Sequence, residues 1–154
     1  MVNWFRRRGS EAAPAVVHGT LEFSDPWVRA APEDATQAAG FVAIANKAAA
    51  PDRLVGASSP LAETVEIHGI KVVGPDIKMK QMAEGLVVYP GDIRTLKPRG
   101  YHLLLQGVKQ PLTRGSRLAL TLVFEKAGPL TVEFEVREPG LIGKAILDLD
   151  HQRG

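Results

Sequence analysis

The chain contains no cysteine among its 154 residues. That absence excludes disulfides, zinc–thiolate sites, iron–sulfur clusters and thiol catalysis together, because each needs a sulfur that can be deprotonated or oxidised. Long apolar runs are missing too. Nothing approaches the roughly 18 consecutive apolar residues of a membrane-crossing helix, so stable membrane insertion is not expected. Charge of one sign is also scarce: 19 Lys and Arg face 17 Asp and Glu, a formal net charge of +2, and part of the excess is the run Arg6, Arg7, Arg8. So small an imbalance gives no basic face for nucleic acid. The arginines are followed by Gly9, Ser10, Glu11, Ala12, Ala13 and Pro14 where a secretory signal needs an apolar stretch, so they read as part of a solvated tail.

What remains is an ordinary globular composition, 45% hydrophobic and 23% charged, well away from the pattern of disorder. One domain is expected at this length. We assign a tail to 1–15, the domain to 16–138 and a C-terminal extension to 139–154. Within the domain, short apolar or alternating runs are cut by Gly, Pro, Asp or Asn too often for long helices, which is the rhythm of an antiparallel β-sandwich. Strands are expected at 17–23, 27–30, 40–46, 53–57, 64–70, 76–82, 86–89, 102–106, 117–125 and 130–137. The clearest pair is Leu118 to Phe124 followed by the strict alternation of Leu130, Thr131, Val132, Glu133, Phe134, Glu135 and Val136. Thr131, Glu133 and Glu135 should face water, and the intervening residues are few enough for a hairpin. After Pro139-Gly140, the stripe Leu141, Ile142, Ala145, Ile146 and Leu149 has helical spacing and predicts a short C-terminal helix.

Enzyme chemistry finds little footing. There is no Gly-x-Ser-x-Gly elbow, no Gly-x-Gly-x-x-Gly and no Walker loop, so no catalytic role is expected. Of the four histidines, His18 and His151 read as surface residues. His68 and His102 each lie in a strand-like run. The period of two groups Glu66 with His68, opposite Val65 and Ile67, and groups His102 with Leu104. Met79 stands between Lys78 and Lys80, on the face that would be apolar. The lysines read as a solvated edge, although a partner with an acidic surface could use them. Imidazole and thioether together suit copper, the thioether favouring soft Cu(I), and neither can be lost to a disulfide, so the set is usable in an oxidising compartment where cysteine ligands would be at risk. Each residue also has a plainer reading, the methionine as core filler and the histidines as hydrogen-bonded structural groups.

The segment 23–137 resembles the periplasmic PCuAC (DUF461) copper chaperones. The matching stretches are Asp25-Pro26-Trp27-Val28-Arg29-Ala30, Gly40-Phe41 followed by Asn46, Val65-Glu66-Ile67-His68, Ile77-Lys78-Met79, the run from Leu96 through Tyr101-His102 to Leu105, and Leu120 to Gly128. The family's metal motif runs from a histidine or methionine to a methionine and then to His-x-Met. Here ten residues separate His68 from Met79 and twenty-two separate Met79 from His102. The resemblance implies that His68, Met79 and His102 are copper ligands. It departs at Leu104, where the last methionine would stand, and at Gly69 and Ile70, where another methionine is often found. Met82 could supply a sulfur only if a bulge reversed its face. The resemblance further implies a cupredoxin-like, Greek-key sandwich, export to the periplasm, and delivery of Cu(I) to a receiving protein such as a cytochrome oxidase subunit. The alternative is a degenerate member that binds copper weakly or not at all and serves as an interaction module.

Overall fold

The computed structural model describes residues 16–29 and 36–137. The expected tail, the C-terminal extension and its helical stripe lie outside the described residues. Eleven strands follow in order: β1 Val16–His18, β2 Leu21–Arg29, β3 Gln37–Asn46, β4 Asp52–Ser58, β5 Thr64–Val73, β6 Asp76–Gln81, β7 Leu86–Val88, β8 Ile93–Leu96, β9 His102–Gln106, β10 Arg117–Phe124 and β11 Gly128–Arg137. The architecture is all-β, with no helix among the described residues, and forms a β-sandwich.

One hydrogen-bonded sheet closes on itself in the cycle β2–β11–β10–β4–β5–β9–β3–β2. The weakest seam is β4–β5, held by the single pair Ala57↔Val65. All pairings are antiparallel except β2–β11, which runs parallel from Glu135↔Trp27 to Arg137↔Arg29. A parallel neighbour is the natural result of joining the last strand to an early one across the ring rather than through a hairpin.

Alternation builds the core. In β10 and β11, Leu118, Leu120, Leu122 and Phe124 meet Val132, Phe134 and Val136 inside, while Thr131 and Glu133 are exposed and Glu135 is half-buried, as the sequence pattern requires. Phe23 of β2 and Phe124 pack with ring centroids 5.9 Å apart. Two buried polar residues brace the loops. Asn46 donates to the carbonyls of Ala50 and Val88 at 3.0 and 2.8 Å and accepts from the Ala48 amide at 2.9 Å. Asp52 accepts from the amides of Arg53, Lys126 and Ala127 at 2.8, 2.8 and 3.0 Å, fixing the β10–β11 turn.

Three expectations need correction. The strand expected at 17–23 is two strands, because Gly19 takes a φ of 61° and turns the chain between β1 and β2. The gap expected between the strands at 17–23 and 27–30 is a bulge inside β2, with Asp25 at φ 53° and the register against β3 shifting between Ser24 and Trp27. β8 was not expected, since Ile93-Arg94-Thr95-Leu96 is short and buries fully only Leu96.

Candidate metal centre

β5 and β9 place His68 directly opposite His102, and Glu66 directly opposite Leu104. Cross-strand partners share a face, so these four side chains stand together on the face of the sheet opposite the core residues Ile67 and Leu103. The imidazole centroids are 5.9 Å apart with ring planes 33° from parallel. With metal–imidazole bonds of about 2 Å, two rings on one ion have centroids on the order of 5–6 Å apart, so the pair is spaced for a shared ion.

Each ring is held by a hydrogen bond that fixes its tautomer. His102 Nδ1 lies 3.0 Å from the Gly100 carbonyl, which can only accept, so Nδ1 carries the proton and Nε2 keeps the lone pair. His68 Nε2 donates to Glu66 Oε1 at 2.9 Å, which leaves Nδ1 as the acceptor of the neutral ring. His102 is only 5% exposed. It is walled by Phe41, 6.5 Å away between centroids, and Phe41 in turn packs against Trp27 with centroids 4.7 Å apart and planes tilted by 41°. Arg29 sits over Phe41 and Arg137 over Trp27. Arg137 also pairs with Asp25 at 2.6 Å and Glu135 at 2.8 Å; burial opposes its charge, but the two carboxylates outweigh that and lift its pKa above the ordinary arginine value.

Met79 pairs with Ile70, two residues beyond His68 on β5. It therefore shares the face of His68 on a diagonal of roughly 7–8 Å, which a long side chain can span. Its side chain is 60% exposed, so it is not core filler. Met82 is on the opposite side. A Cβ at Gly69 would lie 3.1 Å from its sulfur and 2.8 Å from the Tyr101 ring, which places Met82 beneath the sheet with Tyr101, half-buried against the core. The β5–β6 register runs without a bulge, so nothing brings Met82 round to the face of His68. His18 lies far along the chain from this cluster, its ring against Phe23 and its Nε2 3.2 Å from the Thr131 carbonyl. His151 is outside the described residues.

The structure thus unites His68 with His102 and sets Met79 at their margin. It adds Gln81, directly opposite His68 on β6, which sequence reasoning missed. The signal was available: a turn at Gly74-Pro75 pairs Val73 with Asp76 and so His68 with Gln81. Glu66 was placed on the right face, but its hold on His68 was not foreseen. Among the described residues no group of three or more His, Asp or Glu side chains is placed to hold a metal ion. On the face of the two imidazoles the Met79 thioether is the sulfur donor at hand.

Comparison with known proteins assigns the class. The fold is that of PCuAC domains: the copper-bound PCuAC domain from PmoF2 superposes with a TM-score of 0.69 at 28% identity, covering 82% of this chain and all of that one. The solution structure of CuI-DR1885 from Deinococcus radiodurans gives 0.58 at 29% identity, covering 86% and 85%. Residues 21–136 match the family described as "Putative lipoprotein LpqE-like", and the chain belongs to that family. A relative from Leifsonia xyli subsp. xyli, "Putative lipoprotein Lxx21020", is 29% identical over 118 residues, which is 77% of this chain and 70% of that protein.

Proposed function

We propose that the protein is an exported carrier of Cu(I), held by His68, His102 and Met79. The observation that carries this reading is the opposition of two imidazoles, each anchored by a hydrogen bond that leaves one ring nitrogen free, with an exposed thioether on the same face. Two nitrogens and a sulfur suit a soft monovalent ion, and a filled d shell accepts three ligands without strain. Copper is cargo here: no bond is made or broken in the protein, and the exposure of Met79 leaves one side of the ion open to a receiving site. The PCuAC likeness supports this reading, as do the copper-bound and Cu(I)-bound neighbours. Delivery to the copper centre of cytochrome oxidase is the destination we propose. Export is supported by the lipoprotein names carried by the family and the Leifsonia relative.

Titration of Cu(I) against a chromophoric chelator tests the site. Wild type should compete for one equivalent and His102→Ala should not; equal and negligible uptake by both would end the proposal. One observation favours a second reading, a weakened site whose fold serves mainly in binding a partner. Leu104 stands beside His102 on the same face and offers no donor atom. Leu104→Met separates the two, because a large gain in Cu(I) affinity from an almost non-binding parent supports the weakened site.

A further inference from the structure

Beyond His68 the β5–β6 hairpin leaves the body of the sheet. β9 begins at His102, opposite His68, so residues 69–73 of β5 pair only with 76–80 of β6. Five residues per strand at about 3.3 Å each make an arm on the order of 16 Å long. Its tip is the two-residue turn Gly74-Pro75, with Gly74 at φ 59°. On the face shared with His68 stand Ile70, Val72 and Met79, which are 37%, 69% and 60% exposed. The other face carries Lys71, Lys78 and Lys80, with Val73 and Asp76 nearer the tip, all exposed.

Two features of this arm have no internal reason. Lys71 and Lys78 are direct cross-strand partners, an arrangement of like charges that weakens a two-stranded ribbon. None of the three lysines meets a carboxylate within ion-pair distance among the described residues. In addition, the outer edge of β6 pairs with no other strand among the described residues, so its amides and carbonyls are open to a strand from elsewhere.

We propose that the arm is the docking element for the protein that exchanges metal with His68 and His102, and that this partner adds an extended segment to the β6 edge in which apolar residues alternate with carboxylates. The proposal rests on the carrier reading of the centre. Main-chain hydrogen bonds along β6 supply the pairing and side chains on the two faces supply the selection. Apolar residues of the incoming strand cover Met79 and extend the strip of Ile70 and Val72, while its carboxylates neutralise Lys78 and Lys80. A second copy of the chain is disfavoured, because edge-to-edge pairing of β6 would set lysine against lysine. The added strand would lie two strand spacings, roughly 10 Å, from His68, close enough for a metal site on the partner to face the imidazoles.

The test titrates the full chain, labelled with nitrogen-15, with two blocked hexapeptides: alternating Val and Glu, and alternating Val and Lys. The acidic peptide should shift the amides of 76–81, and the basic one should not. Lys78→Glu combined with Lys80→Glu should weaken the acidic peptide at least tenfold and admit the basic one, while Cu(I) affinity, measured separately, stays within twofold. Equal binding of both peptides, binding of neither, or shifts confined to other strands would overturn the proposal. So would lysine-dependent binding to vesicles of anionic phospholipid without peptide binding, which would make the arm a lipid contact. Selective peptide binding by a chain that takes up no Cu(I) upholds the docking surface and overturns only the carrier reading; normal Cu(I) uptake without peptide selectivity does the reverse.

Discussion

Gly69→Ala should destabilise the domain although its backbone is one that alanine readily adopts. The residue lies in β5 between His68 and Ile70, where the arm departs, and its Cα faces the Tyr101 ring. An added Cβ would sit 2.8 and 2.9 Å from two ring carbons and 3.1 Å from the Met82 sulfur. Met82 is unbranched and can yield, but Tyr101 is a rigid ring with Arg94 stacked on it at 5.3 Å. Overpacking of this kind costs about 1–3 kcal/mol, and the entropy lost from the unfolded chain on replacing Gly by Ala returns about 0.4–1 kcal/mol, so a net loss of about 1–2 kcal/mol is expected. Urea unfolding followed by tryptophan fluorescence should show a lower midpoint with an unchanged slope. In a Tyr101→Ala background the ring is gone, and the same Gly69→Ala change should be neutral or stabilising by up to about 1 kcal/mol. A Gly69→Ala protein as stable as wild type, or an equal loss in both backgrounds, would refute the packing account of this glycine.

Asp52→Ala leaves the amides of Lys126 and Ala127 without their acceptor and should cost about 2–4 kcal/mol, with faster amide exchange in the β10–β11 turn as the local signature. Asn46→Ala removes two donors and an acceptor from a buried site and should lower thermal stability by about 1–3 kcal/mol, read by calorimetry. Met79→Leu should leave stability within about 0.5 kcal/mol, because the side chain is largely in solvent. The same variant should lower Cu(I) affinity in a chelator competition at least tenfold.

Much of the fold was legible because its determinants are local. Strict alternation in Leu130 to Val136 named both face and water-exposed residues, and 102–106 was placed with its observed ends. What failed depended on a neighbour. The bulge at Asp25 is stabilised by Arg137, which lies more than a hundred residues away in sequence. β8 exists because β3 offers it an edge from Val42 to Ala45, and its own sequence carries little strand pattern. The candidate centre divides in the same way. Parity on one strand put Glu66 beside His68 and Met79 opposite Met82 in facing, and the structure keeps both arrangements. The opposition of His68 and His102, and the wall of Phe41 and Trp27, require the register of β5, β9, β3 and β2 around the ring, which no local window contains.

The most direct test of the central claim is a nitrogen-15 spectrum of the histidine side chains recorded through a Cu(I) titration under reducing conditions. One equivalent should move His68 and His102 together, with His102 keeping the proton on Nδ1 and changing at Nε2, and should shift the Met79 methyl in the companion carbon spectrum. Movement of only one of the two imidazoles, or saturation that leaves both unchanged, would contradict it.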